Sequence, residues 1–165
     1  VTRADLVSAA HQRGYRPAMR IGVLGRLEVS CADGTPLPVT APAQRQILAA
    51  LVARSGSLVT AATLIDDLWG YAAPRSAIGT LRSHVTRLRD RLGRGETVLV
   101  TEGDGYRLCV DPQDVDALRF QALVDRAEAL ADRNDALECY DAALALWRGE
   151  AYLEFGEAPF AVGER

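Results

Sequence analysis

The sequence predicts an α+β chain in which a small antiparallel sheet, three helices and a β-hairpin precede a further pair of helices. Three observations carry that prediction. Short β-type runs begin near residue 20. Three helix-length apolar patterns follow, punctuated by Gly and Pro. The runs TVLVTE and YRLCV then meet at a Gly-Asp-Gly turn. Sheet, three helices and hairpin in that order describe a winged helix. Hydrophobic residues form 48% of the 165 residues and charged residues 25%, a balance that can bury a core, so disorder is not expected.

Arg20 to Leu24 and Leu27 to Cys31 are β-type runs, and Ala32-Asp33-Gly34 turns the chain toward a third run, Leu37 to Thr40. Pro42 stands where a helix can begin, and AQRQILAALVARSG places Ile47, Leu48, Leu51 and Val52 on one face before Gly56. Thr60 is the N-cap of a second helix, AATLIDDLWG, packing through Leu64, Ile65, Leu68 and Trp69. A loop, Gly70 to Pro74, leads to the third helix with Pro74 near its first turn. Gly93-Arg94-Gly95 ends that helix, and Gly103-Asp104-Gly105 joins the hairpin strands.

The third helix, PRSAIGTLRSHVTRLRDRL, carries the chemistry. At about 100° per residue, Ile78, Leu81, Val85, Leu88 and Leu92 form a packing stripe, while Ser76, Gly79, Thr80, Ser83, Thr86 and Arg87 face outward. Arg82 and Arg89 flank the stripe, their stems along apolar surface and their guanidinium groups beyond it. A slim face armed with forked donors suits entry into a DNA major groove. A charge run by itself equally describes a solvated helix, so the following hairpin is what favours the DNA reading.

Charge is unevenly placed. The net charge is −3, but residues 1–110 hold 14 Arg against nine acids, whereas residues 111–165 hold five Arg against 13 acids. Arg75 to Arg94 contains six arginines and one acid, Asp90, a local field that attracts phosphate. The break near Asp111 marks the expected domain boundary: an N-terminal extension over 1–18, a DNA-binding domain over 19–110 and a helical domain over 111–165. Met19, the only methionine, directly precedes the first β run.

Other function classes lose support. Neither GVLG nor GDG fits a nucleotide fingerprint, and His11 and His84 lack a nucleophile partner, so no catalytic residue is assigned. Asp66 and Asp67 are about 100° apart on a helix, poorly placed as a carboxylate pair, and read as exposed charges. Cys31, Cys109 and Cys139 are far apart without a C-x-x-C pair, so buried free thiols are expected, with no metal and no cofactor. No apolar run approaches the ~20 residues that cross a bilayer, and no h-region opens the chain, so the expected location is cytoplasmic with no membrane partner.

The run MRIGVLGRLEV, the helix starting AQRQILAALV, the LIDDLWG segment, TLRSHVTRLRDRLG and VTEGDGYRL together resemble the SARP family, the AfsR-type antibiotic regulatory proteins of actinobacteria. Their DNA-binding domain is an OmpR-like winged helix. The resemblance continues into VDALRFQALVDRAEALADRNDALECYDAALALWRG, which is similar to the start of the TPR-like bacterial transcriptional activator domain. It implies a sequence-specific regulator, usually an activator of a secondary-metabolite cluster, that binds direct-repeat promoter DNA as paired copies and recruits RNA polymerase holoenzyme. Carried over onto this chain, Thr80, Arg82, Ser83, Thr86 and Arg87 approach bases or phosphates, Arg75 meets phosphate, and Arg107 follows a minor groove or backbone. Gly70, Tyr71, Ala72, Ala73 and Pro74 correspond to the polymerase-contacting loop.

The helical region reads as one pair, Leu118 to Ala131 and Ala136 to Trp147, where the family normally has several. Stacked repeats bury their faces against neighbours, and fewer than about three rarely stand alone. Leu118, Phe120, Leu123, Leu130, Leu137, Tyr140, Leu144, Leu146 and Trp147 supply either a core between the two helices or a partner surface. AYLEFGEAPFAVGER looks like the approach to another helix. The alternative function is a protein-pairing module that titrates a full-length relative or occupies operators without activating.

Overall fold

The computed structural model describes residues 19–92 and 98–162. The N-terminal extension, the Gly93-Arg94-Gly95 stop and the last three residues lie outside them. Strand β1 (Met19–Gly22) pairs antiparallel with β2 (Glu28–Cys31), Met19 opposite Cys31 and Gly22 opposite Glu28. The expected third strand over Leu37 to Thr40 does not form. Ser30 makes one bridge to Pro36, and the Leu37 amide reaches the Val29 carbonyl at 2.8 Å. Pro36 and Pro38 have no amide hydrogen, so they interrupt a ladder here. Nor does β1 run on to Leu24: the Val23 and Leu24 amides donate to the Asp116 carboxylate at 2.7 and 3.0 Å.

Helix α1 (Pro42–Ala53) begins at the proline, as its fixed φ favours. Its burial is wider than the single face expected, because every residue from Ile47 to Val52 is buried, making it the central helix. After β3 (Val59–Thr60) comes α2 (Ala61–Trp69), capped by Thr60, whose Oγ1 accepts the Thr63 amide at 3.1 Å. Gly70 ends α2 at φ 51°, a conformation that disfavours side chains with a Cβ. Helix α3 (Ala77–Arg91) follows. Pro74 lies ahead of it, its carbonyl accepting the Ala77 amide at 2.9 Å.

Strands β4 (Leu99–Glu102) and β5 (Gly105–Leu108) form the predicted hairpin, with Gly103-Asp104 as its turn and Gly105 already paired to Glu102. On its other side β5 pairs with β3. A Cβ at Gly105 would overlap the Val59 carbonyl, so this close strand approach requires glycine.

Helices α4 (Asp116–Ala129) and α5 (Arg133–Leu144) pack together, each starting two or three residues earlier than the periodicity suggests. Asp132 caps α5, its Oδ1 accepting the Asn134 amide at 2.8 Å and the Asp135 amide at 3.1 Å. The apolar residues of the pair divide: Leu118, Phe120, Leu123, Leu130 and Leu146 are half-buried, while Leu137, Tyr140, Leu144 and Trp147 are exposed.

The segment after α5 returns to the winged helix. Arg148 and Tyr152 amides bond the Leu24 and Val23 carbonyls, both at 2.8 Å. Tyr152 is buried edge-on against Phe160 of α6 (Pro159–Val162), and Phe160 also lies under the Arg54 guanidinium. Asp116 accepts Arg148 at 3.0 Å, and Arg45 pairs with Glu154. Contacts therefore run across position 110 in both directions. Cys139 is buried, Cys31 and Cys109 are half-buried, and none of the three forms a disulfide among the described residues.

Candidate nucleic-acid interface

Helix α3 lies across α1 and α2 and enters the core through Ala77, Leu81, Val85, Leu88 and Leu92. Ile78 does not join them. It is 54% exposed, because Ala77 takes the first seam position and the next residue turns about 100° away from it. The face opposite the seam carries Gly79, Arg82, Ser83, Thr86 and Arg87, all exposed, with Thr80 half-buried at its margin and Arg75 exposed ahead of the helix. No ion pair engages Arg75, Arg82 or Arg87 among the described residues.

The hydroxyls on this face are already used. Ser83 Oγ donates to the Gly79 carbonyl at 3.0 Å and Thr86 Oγ1 to the Arg82 carbonyl at 3.0 Å. Each is bonded one turn back along its own helix, a common local alternative for short hydroxyl residues.

Two other arginines hold the hairpin. Arg89, read from the sequence as reaching outward, donates through Nε to the Leu99 carbonyl at 2.8 Å and through Nη2 to Thr101 Oγ1 at 2.7 Å. Arg107 pairs with Glu102 at 2.8 Å and donates to the Gly56 carbonyl at 2.6 Å. The Arg107 hydrogen bond holds the Glu102 carboxyl below its usual range, and Glu102 raises Arg107 in turn. Arg107 is thus half-buried and tied at both ends, unlike Arg82 and Arg87.

Asp66 is exposed as expected, but Asp67 is buried and accepts Arg54 Nη1 at 2.8 Å. The position faces α1, where a buried carboxylate requires a cation. His84 is half-buried at the edge of the seam. The loop Gly70 to Pro74 is exposed throughout, with Tyr71 fully so. Beside it, Gln46, Asp66, Trp69 and residues 154–159 line a groove of about 580 Å³, placing the loop next to the returning tail. Ile78 and the tethers on Arg89 and Arg107 were beyond sequence reasoning. Ile78 has an apolar side chain at seam-like spacing, and the tethers join residues up to 51 positions apart.

This fold, a winged helix with an outward arginine-bearing helix and a docked helical module, defines a class of transcriptional regulators. The comparisons agree. A family model described as transcriptional regulatory protein, C terminal, matches residues 34–108, and the bacterial transcriptional activator domain matches residues 115–165. The chain is 41% identical over 112 residues to the regulatory protein AfsR of Streptomyces coelicolor, covering 67% of this chain and 11% of AfsR. It is 32% identical over 148 residues to the regulatory protein DnrI of Streptomyces peucetius, covering 82% of this chain and 54% of DnrI. A solved structure of Mycobacterium tuberculosis EmbR, in complex with a low-affinity phosphopeptide, superposes with a TM-score of 0.83 at 32% identity, covering 90% of this chain and 41% of that one. The chain thus spans about a tenth of AfsR and about half of DnrI. It belongs to the SARP family of transcriptional regulators. These relatives are named as regulatory or transcriptional regulatory proteins, and the matched domains do not favour the pairing-only alternative. No helix among the described residues is long and apolar enough to cross a membrane.

Proposed function

We propose that this chain is a sequence-specific regulator of double-stranded promoter DNA, an activator of a secondary-metabolite gene cluster, acting in the cytoplasm without a catalytic site or cofactor. The observation that carries the reading is the outward face of α3, where Arg82 and Arg87 stand exposed, with no ion pair among the described residues, around the small residues Gly79, Ser83 and Thr86. A backbone with small side chains comes close to base edges, and free guanidinium forks match guanine and phosphate. Thr80 and Arg75 reach the flanking phosphates, and Arg107, held on strand β5 by Glu102 and Gly56, brings the hairpin to the backbone. Residues 19–110 read the DNA. Residues 111–165, with the exposed Gly70-Tyr71-Ala72-Ala73-Pro74 loop, face RNA polymerase holoenzyme, two copies sitting on direct repeats.

The test is a fluorescence-anisotropy titration against duplex from the chain's own gene neighbourhood, with random duplex as competitor, at two salt concentrations. Selective binding that weakens steeply with salt is expected, since each neutralised phosphate contributes a log–log slope near −0.9. Salt-indifferent or unselective behaviour of the folded chain would overturn the reading.

A further inference from the structure

We propose that Ile78 and Thr86 read the 5-methyl groups of thymine, making α3 a detector of thymine position as well as of guanine. The inference rests on the DNA-binding reading above. Its first support is Ile78, on the first turn of α3, a large aliphatic side chain that stays 54% exposed beside the DNA-facing surface. It stands beside Arg82 at the rim of a small hollow between α3 and the hairpin, lined also by Ala61, Thr101 and Gly103. Its second support is the state of the hydroxyls. With Thr86 Oγ1 donating to the Arg82 carbonyl, the proton of that hydroxyl is turned toward the helix. The methyl group is what Thr86 keeps for apolar contact with a base. Ser83 is tied back in the same way and has no methyl to offer.

The surface around Arg82 thus carries aliphatic carbon on both sides, from Ile78 and from the Thr86 methyl, while the Thr86 and Ser83 hydroxyls donate to the helix backbone. Among base edges in the major groove, thymine alone presents a methyl group, and apolar side chains select it by contact. A guanine or cytosine at the same step would meet Ile78 with a polar edge left unpaired, which adds discrimination. Gly79, beside Ile78, has open space where a Cβ would stand, so the helix backbone is free to approach a base.

The experiment uses the full chain and a labelled duplex carrying the motif it enriches from a randomised pool. Each thymine of that motif is replaced in turn by deoxyuridine, which removes only the methyl group. Burial of one such group corresponds to about a fourfold affinity loss per contact. One position should respond in the unmodified chain and cease to respond in Ile78→Ala, and another should cease to respond in Thr86→Ser. Both side chains are exposed, and thermal melts of the variants establish that they fold. Indifference of every thymine to replacement, equal responses in chain and variants, or a motif without thymine overturns the proposal while leaving DNA binding intact. Failure to enrich any duplex overturns the DNA-binding reading and the proposal together.

Discussion

In the winged-helix region α1 is buried from Ile47 to Val52, and α3 adds Leu81, Val85 and Leu88 to the same core. In the helical pair only Ala127 of α4 and Cys139 and Ala143 of α5 are buried, while Leu137, Tyr140 and Leu144 of α5 face outward. The first region is organised by large side chains around a central helix. The second closes on small residues and is secured to the first by a few long-range anchors: Asp116 under the Val23–Leu24 turn, Tyr152 and Phe160 in the core, and Glu154 on Arg45. A rigid core suits a surface that must match DNA to within a hydrogen-bond length. An anchored module with an open apolar face suits contact with protein.

The largest expected effect falls on the anchors. Tyr152→Ala should destabilise the chain by about 3–5 kcal/mol, the usual range for emptying a buried aromatic site, read by chemical denaturation. A surface-like change below about 1 kcal/mol would mean that the two regions are less interdependent than their contacts indicate.

Asp116→Ala should follow, at about 2–3 kcal/mol, because it strips acceptors from three backbone amides, those of Val23, Leu24 and Ala117, and from Arg148. Pairing it with Arg148→Ala in a double-mutant cycle separates the coupled part. Arg87→Ala tests the other region: specific duplex affinity should fall by ~1–3 kcal/mol with folding stability unchanged, measured as the preference for operator over random DNA. Loss of stability in that variant would place Arg87 in the fold rather than at the interface.

Thr60→Ala, which removes the N-cap of α2, should cost about 1 kcal/mol in thermal unfolding. The smallest effect concerns pH. Hydrogen bonding from Arg45, and then from the Leu27 amide, lowers the Glu154 carboxyl below its ordinary value. A carboxylate lowered in the folded state contributes stability that is fully present above its unfolded value and is lost as pH falls through the folded one. Glu154→Gln should therefore flatten the acid limb of stability against pH below about 4.5 and leave the neutral region's slope unaltered.

Much of this was legible in the sequence. Pro42, Thr60 and Gly70 mark helix boundaries through constraints local to the backbone, and the hairpin follows from Gly103-Asp104 between alternating runs. The outward set Gly79, Ser83, Thr86 and Arg87 follows from helical periodicity alone. Misreadings arose where a local signal met a distant partner. Leu24 scored as strand, yet its amide belongs to Asp116, 92 positions away. Asp67 scored as a solvated charge, yet packing against α1 placed it beside Arg54. Ile78 matched the seam spacing until Ala77 occupied the first core position.

The order of elements, the Thr60 cap, the hairpin turn and the concentration of arginine on one helix are all written in local sequence, because each depends on interactions within a few residues. Which arginines are engaged by partners among the described residues follows from the tertiary packing. Arg89 and Arg107 are held by Leu99, Thr101, Glu102 and Gly56, while Arg82 and Arg87 are left exposed. The tertiary structure also turned the tail back into the core. The physical reason is the same in both cases: a guanidinium or an aromatic ring is committed by the partner that folding brings within reach, and that partner's position is not encoded by local spacing.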